Sequence, residues 1–276
     1  MKPPPFQYHD PKTLAEAVGL LGTLDNAKLL AGGQSLMPML ALRVALPDLL
    51  VDLSRLDDLK IVTRTPDSVW LGALTTHAAI EDGETPDVFN GLMRAIAGQI
   101  SYRAVRNHGT IGGSVALADP AADWPVFLST FGATLRIVGR NGVRVQSIDD
   151  FIQGPYETTL STGDIIMGFD IPAPPASFRW GFSKVARKSG AFAQSLAVVV
   201  AAGKGGPVKA VLGAAGPKPR ALVATAAQLE IPDSSEQDIR VPIRADLNAY
   251  FGELDDYQKR MHTANVLHAA RNMRAQ

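Results

Sequence analysis

Thr110-Ile111-Gly112-Gly113-Ser114 decides the reading, together with its counterpart Ala31-Gly32-Gly33-Gln34-Ser35. Each is a run of small residues with a paired glycine and a closing serine, and each leads into an apolar segment of helical composition. Paired glycines let backbone N–H groups crowd together with no Cβ atoms in the way. Such a loop, with the start of the helix after it, can aim several amides at one anion. One loop is weak evidence, because ordinary turns use the same residues. Two loops with Ser at the same offset suit an extended diphosphate held from both sides. Two ordinary turns are the alternative.

The flanks sharpen this. Arg103, Arg106 and His108 precede the second loop and make a basic approach that suits a phosphate-bearing ligand, a solvated basic loop being the other reading. Asp119-Pro120, just beyond it, reads as a helix N-cap with proline in first position. Asp123 then either completes a capping box or reaches a ribose hydroxyl. Around the first loop, a strand at 28–31, a buried helix at 35–44 with Pro38 in its first turn, and the strand Leu49-Leu50-Val51-Asp52-Leu53 predict a small βαβ unit. The GxGxxG spacing is absent, so this is no Rossmann fingerprint.

Elsewhere the pattern predicts a helix to about residue 21 with Leu14, Ala17, Val18 and Leu21 on one face. Two extended segments over 60–74 are split by Thr65-Pro66-Asp67, and Thr75-Thr76 cap a helix that His77 enters. A helix at 90–100, a hairpin at 135–148 around Asn141-Gly142, and a strand at 164–171 ended by Pro172 follow. The proline-rich stretch 172–177 marks a domain boundary. Beyond it come a basic extended segment at 180–188 and apolar strands at 196–202 and 208–214, joined by a turn at Gly203-Lys204-Gly205. Helices at 221–229, 243–251 and 255–274 close the chain, the last with Tyr257, Met261, Ala264 and Leu267 on one side.

The 276 residues suffice for two or three subdomains. Lysine plus arginine and aspartate plus glutamate both number 27, so zero net charge gives no case for nucleic acid or an anionic membrane as partner. The longest apolar run, 195–202, falls far short of the roughly 20 residues of a membrane span. Met1-Lys-Pro-Pro-Pro-Phe lacks a signal peptide's apolar core, which predicts a cytoplasmic address. The chain has no cysteine, so any disulfide, thiolate zinc site or iron–sulfur cluster held by it is excluded. Electrons handled here need an organic cofactor. The five histidines show no metal-ligand spacing, and HExxH, GxSxG and Walker patterns are missing. Neither a metal site nor a catalytic side chain is expected.

Ala-Gly-Gly-Gln-Ser-Leu at 31–36 and Thr-Ile-Gly-Gly-Ser at 110–114, followed by Ala-Asp-Pro-Ala-Ala-Asp at 118–123, resemble the medium, FAD-binding subunit of the molybdenum hydroxylases. The likeness is nearest to the flavoprotein subunit of aerobic carbon monoxide dehydrogenase and its xanthine-dehydrogenase-like relatives. It runs the whole chain, from Phe-Gln-Tyr-His-Asp-Pro near the start to Tyr-Gln-Lys-Arg-Met in the final helix. The resemblance implies an α+β fold: a two-lobed vanillyl-alcohol-oxidase-type (PCMH-type) FAD domain over 1–175, with lobes about 1–55 and 56–175. A smaller α+β C-terminal domain over 176–276 would follow.

It also implies that Ala31, Gly32, Gly33, Gln34 and Ser35, with Leu36 beside them, and Thr110, Ile111, Gly112, Gly113 and Ser114 hold the FAD diphosphate. Asp123 falls at a polar FAD contact, Ile100 and Ile166 at apolar cofactor-lining positions, Lys184 at a basic one, and Phe192 at an aromatic near the isoalloxazine. For Phe192 an ordinary core aromatic is the alternative. The chain departs from relatives at Gly190-Ala191-Phe192, where many have Gly-Asp-aromatic and the aromatic is often Tyr, and at Gln34, where some have His. The implied partners are a large molybdenum-cofactor subunit and a small [2Fe-2S] subunit, with the heterotrimer paired as a dimer. The implied role is electron transfer from those clusters through FAD to an external acceptor. A flavin-free assembly subunit and a stand-alone flavin oxidoreductase of the same fold are the competing readings.

Overall fold

The computed structural model describes residues 2–24, 26–203 and 205–276. The chain opens with β1 (Gln7–His9), α1 (Leu14–Leu21), β2 (Ala27–Leu30), α2 (Leu36–Ala41) and β3 (Leu49–Asp52). Strand β3 lies between β1 and β2 and is parallel to both, so β2-α2-β3 is the predicted βαβ unit with an added edge strand. The Thr13 hydroxyl accepts from Glu16 N and starts α1, whose Ala17 and Leu21 pack on Leu49, Val51 and Leu53. Helix α2 is shorter and barer than its composition suggests. Leu40 alone in it is buried, while Met37 and, past its end, Leu42 and Val44 stand exposed. The chain turns away from the sheet at Arg43, whose φ is 58°.

The next unit contains β4 (Val62–Arg64), β5 (Ser68–Gly72), α3 (His77–Asp82), α4 (Leu92–Ala97), α5 (Arg103–Arg106), α6 (Ile111–Leu117) and α7 (Asp123–Phe131). It continues through β6 (Thr134–Gly139), β7 (Gly142–Ser147), α8 (Ile148–Phe151), β8 (Ile152–Gly154), β9 (Glu157–Thr158) and β10 (Ile165–Pro172). Five of these strands form an antiparallel sheet in the order β4-β5-β10-β6-β7. The predicted turns are present: Thr65 N donates to Ser68 O, and Gly142 takes a φ of 99° between β6 and β7. Thr76 caps α3, its hydroxyl accepting from Ala79 N. Asp119 does not cap a helix. Ala118 turns left-handed (φ 51°), Asp119 accepts from Ala121 N in a local turn, and α7 starts four residues later.

The final hundred residues form β11 (Phe178–Ala186), β12 (Ala193–Ala202), β13 (Val208–Gly213) and β14 (Arg220–Ala221), antiparallel in chain order, then α9 (Val223–Glu230), α10 (Glu236–Tyr250) and α11 (Asp256–Arg274). Lys204, in the predicted turn between β12 and β13, lies outside the described residues. Helix α10 begins well before the predicted 243, at a capping box between Ser235 and Asp238, and carries Pro242 inside it. The face of α11 also differs from the apolar stripe. Tyr257 and Ala264 are exposed, whereas His262, Thr263 and Asn265 are buried. The cause is a close approach: a Cβ on Gly181 of β11 would stand 1.8 Å from Ala269 O, so α11 lies almost on the strand backbone.

Helix α7 sits between the two larger sheets. Trp124, Phe127 and Leu128 belong to one core with Val69, Ile137 and Phe169 on one side and Phe182, Leu196 and Val198 on the other. The opposite face of the C-terminal sheet packs on α9, α10 and α11 through Val199, Leu212, Ile243 and Val266. A sheet covered on both faces explains the unbroken apolar run of β12.

Candidate functional site

The two glycine segments touch. A Cβ on Gly32 would stand 2.0 Å from His108 O and 2.8 Å from Gly109 Cα, and one on Gly113 would stand 3.6 Å from Ala31 Cβ. The loop after β2 therefore lies directly on the entry to α6. Gly33 takes a φ of 70° there. Gln34 Nε2 donates to Gly32 O at 2.9 Å, which braces the turn. Among the described residues the N–H groups of Gly32, Gly33, Gln34 and Ser35 meet no protein acceptor, and the Ser35 hydroxyl caps nothing. Successive free amides around a left-handed glycine make an anion-binding concavity.

The second segment works differently from the expectation. Helix α6 begins at Ile111, so Gly112 and Gly113 lie in its first turn instead of in a loop before it. Their amides are engaged within the protein. Ile111 N donates to Thr75 O, Gly112 N to Ala73 O, Gly113 N to Thr110 Oγ1 and Ser114 N to Thr110 O. Gly112 serves close approach, since its Cβ would stand 2.6 Å from both Ala73 O and Ala73 Cβ. The free amides thus belong to the 31–35 loop, and the 110–114 segment supplies the wall behind it. Next to that wall, the buried Thr75 Oγ1 has no hydrogen-bond partner.

Arg103 and Arg106 do not offer free charge. Arg103 pairs with Glu81 and Asp82, and Arg106 pairs with Glu81 at 2.8 Å while donating to the carbonyls of Ile100 and Ser101. These contacts hold both carboxyls below their usual range, chiefly through the Arg106 and Arg103 hydrogen bonds, and strap α5 to α3. His108 is exposed beside the loop.

Asp123 and Lys184 come together, although 61 residues separate them. Lys184 Nζ donates to both Asp123 carboxylate oxygens, at 2.8 and 2.9 Å, and to Gln99 O at 3.1 Å. Burial pushes the Asp123 carboxyl up, and the Lys184 ammonium pulls against it. Half-buried Ile100 adjoins Gln99. The turn from β11 to β12 lies on the next two residues: a Cβ on Gly190 would meet Ser101 O and Tyr102 Cε1 at 3.0 Å. Phe192 leaves that turn 71% exposed and Tyr102 is 55% exposed, so Phe192 is not a core aromatic. Ile166 is buried in β10, and its neighbour Met167 accepts from Ala73 N, which places it behind the Ala73–Gly112 contact.

One residue pair was missed by sequence reasoning. Buried Trp124 Nε1 donates to His77 Nδ1 at 3.0 Å, and burial, with Arg106 nearby, pulls the His77 imidazole down to about 4. Only the Thr-Thr-His run pointed to this position, and it identified the cap alone.

The arrangement fits FAD. A diphosphate needs several donors and little negative charge, which the 31–35 amides, the Ser35 hydroxyl and the paired state of Asp123 meet. A planar ring system needs accessible apolar surface, which Phe192, Tyr102 and Ile100 provide.

A family profile described as "FAD binding domain in molybdopterin dehydrogenase" matches residues 4–174. The carbon monoxide dehydrogenase medium chain of Afipia carboxidovorans is 36% identical over 75% of this chain and 72% of its own length. The nicotine 6-hydroxylase medium subunit of Paenarthrobacter nicotinovorans is 34% identical over 72% and 70%. Among solved structures, carbon monoxide dehydrogenase from Hydrogenophaga pseudoflava superposes with a TM-score of 0.91 at 31% identity, covering 100% of this chain and 99% of the other. Quinoline 2-oxidoreductase from Pseudomonas putida superposes with a TM-score of 0.89 at 29% identity, covering 98% and 99%.

Proposed function

The chain belongs to the FAD-binding family of the molybdopterin dehydrogenases, and from that premise we propose that it is the electron-transfer subunit of a heterotrimeric molybdenum hydroxylase. It is an oxidoreductase subunit with the PCMH-type α+β fold, and its cofactor is FAD. In this reading it takes electrons from the clusters of a small [2Fe-2S] subunit and delivers them to an external acceptor. A large molybdenum-cofactor subunit carries out the hydroxylation. The assembly is a cytoplasmic dimer of heterotrimers, and the chain divides into an FAD domain over 1–175 and a C-terminal domain over 176–276. Among the described residues no helix is long and apolar enough to cross a membrane.

FAD supplies the redox chemistry when bound. The chain's own residues bind and orient it. Gly32, Gly33, Gln34 and Ser35 would donate to its diphosphate, with Leu36 continuing that turn into α2. Thr110, Ile111, Gly112, Gly113 and Ser114, in contact with Ala31, would form the wall behind that loop. Ile100, Ile166 and Phe192 offer apolar surface, and Asp123 and Lys184 stand behind Ile100. The single observation that carries the reading is the bare amide concavity at 32–35 pressed against the first turn of α6.

The assembly-subunit alternative is disfavoured because the N–H groups of Gly32, Gly33, Gln34 and Ser35 meet no acceptor within the described residues, a bare concavity that packing alone does not require. The stand-alone oxidoreductase is disfavoured because the Asp123 carboxylate and Lys184 ammonium are buried and paired to one another, and His77 is buried against Trp124, so none of these three is free to serve a substrate.

The test is an absorbance spectrum of the chain, purified alone and with its genomic neighbours co-expressed. Flavin bands near about 375 and 450 nm, with FAD released on denaturation, are expected. A Gly112→Val variant that keeps its circular dichroism should lose them. Colourless protein in both preparations overturns the reading.

A further inference from the structure

A cleft of about 560 Å³ opens between the two halves of the chain, lined by none of the residues of the flavin site. Its walls come from α7 and α8 on one side and from β13, the segment 218–223 and α9 on the other. On α7 the lining residues are Pro125 and Ser129, with Gly132 just past its end. These three lie roughly 180–240° round the helix axis from Asp123, so the cleft occupies the opposite face of α7. Its floor is apolar: Ile148, Ile152, Val211 and Leu222 line it and are buried. The volume suits a small organic molecule, whose pockets span about 300–1,000 Å³.

The walls carry an excess of positive charge, although the whole chain has none. Lys209, Lys218 and Arg220 line the cleft against a single carboxylate, Asp149. That carboxylate is engaged elsewhere, Asp149 Oδ1 accepting from Ser129 Oγ at 2.6 Å. Among the described residues none of the three cations has an ion-pair partner. Half-buried Lys218 donates to two carbonyls, Asp149 O at 3.0 Å and Ile152 O at 3.3 Å. An ammonium has three protons, so one is left without a protein acceptor. Capping the end of α8 accounts for Lys218 in part, but it leaves Lys209 and Arg220 unexplained.

We propose that this cleft is a second ligand site, and that its ligand is a small organic anion with an apolar body. The body rests on Ile148, Ile152, Val211 and Leu222, and the acidic head meets Lys209, Lys218 and Arg220. Apolar surface taken out of water supplies the affinity, and uncompensated cations in a concave wall select the sign of the head. The walls belong to both halves, so the bound anion bridges them and stabilises their contact. The site is independent of the FAD reading.

The probe is anilinonaphthalene sulfonate, titrated by fluorescence into the full chain with and without saturating FAD. One saturable site with the same Kd in both states is expected. Octanoate should displace the probe, whereas octanol and octylamine should not. The Lys209→Gln, Arg220→Gln double variant should weaken probe binding by roughly tenfold, the scale of two partly exposed charge contacts. Ala226→Phe, which fills the cleft from α9, should abolish it, and both variants should keep wild-type FAD affinity. Absence of saturable binding, loss of the probe on adding FAD, equal displacement by octanol, or an unchanged probe Kd in either variant overturns the site. If Ala226→Phe loses its circular dichroism, the charge variant decides alone. Wild type that binds no FAD overturns the functional reading only, because the flavin-free titration still decides the cleft.

Discussion

Trp124 Nε1 donates to His77 Nδ1 at 3.0 Å, joining the first turns of α7 and α3 inside the core. An indole nitrogen only donates, so Nδ1 must accept and the imidazole is neutral with its proton on Nε2. His262 is likewise buried and neutral. It is 1% exposed, its Nδ1 lies 2.8 Å from Ser195 Oγ, and burial pulls it down to about 4. One neutral histidine pins each half of the molecule.

Acid stability follows with a definite sign. Both histidines have folded values near 4, below the ordinary value of 6.5 that they regain on unfolding. Between those values the unfolded chain binds more protons, so the histidines' contribution is fully present above 6.5 and is lost as pH falls towards 4. The loss is roughly 1.4 kcal/mol per pH unit per histidine. Urea unfolding of the flavin-free chain at pH 7.5, 6 and 5 should show this fall, with a shallower slope in His262→Asn. An unchanged slope in that variant would remove His262 from the account.

The glycine contacts give a graded series. Gly32→Ala places a Cβ 2.0 Å from His108 O, and Gly112→Ala places one 2.6 Å from Ala73 O. Both must push backbone apart, at about 1–3 kcal/mol each, and both should weaken FAD binding. Gly19, exposed within α1 with open space around its Cβ position, is the control. Gly19→Ala should gain about 0.5–1 kcal/mol from helix propensity and leave FAD affinity alone. Denaturation midpoints together with flavin fluorescence titration read all three.

The Ser35 hydroxyl makes no capping bond, so its removal should cost the flavin-free fold little. Ser35→Ala is expected to keep the wild-type midpoint and to weaken FAD binding by roughly tenfold, the scale of one hydrogen bond to a charged group. Equal FAD affinity in calorimetric titration would take the serine out of the diphosphate site.

Local signals in the chain were legible where one residue type answers one backbone demand. Gly142 between β6 and β7, Thr76 at the cap of α3 and Pro38 in the first turn of α2 are of this kind. The paired-glycine motifs do come together in space, but the two segments differ in chemistry: the amides of 32–35 are free and those of 111–114 are engaged within the protein. In Gly112 the absent Cβ serves helix packing on Ala73, and spacing alone cannot separate that from a phosphate loop. The basic run at Arg103 and Arg106 misled because Glu81 and Asp82, which neutralise it, lie over 20 residues away. The inner face of α11 was hidden because its partner is strand backbone at Gly181, which selects small and hydrogen-bonding residues over an apolar stripe. Pairings such as Asp123 with Lys184 exist only once α7 is sandwiched between two sheets.

Phe192 separates a binding surface from a packing role. A buried phenylalanine truncated to alanine costs about 3–5 kcal/mol, because apolar contact is lost and a cavity is left. Phe192 is 71% exposed and stands on a turn held by Gly190 against Ser101 and Tyr102, so its ring contributes little to the fold. Phe192→Ala should therefore leave the flavin-free unfolding midpoint within about a degree of wild type. The same change should weaken FAD binding by roughly two- to tenfold, the scale of one aromatic stacking contact of about 0.5–1.5 kcal/mol. Phe192→Tyr keeps the ring and should bind FAD as wild type does, so that a loss in alanine with recovery in tyrosine assigns the effect to the ring face. A fall in the midpoint without a change in FAD affinity would make Phe192 a packing residue and return the isoalloxazine surface to Tyr102 and Ile100.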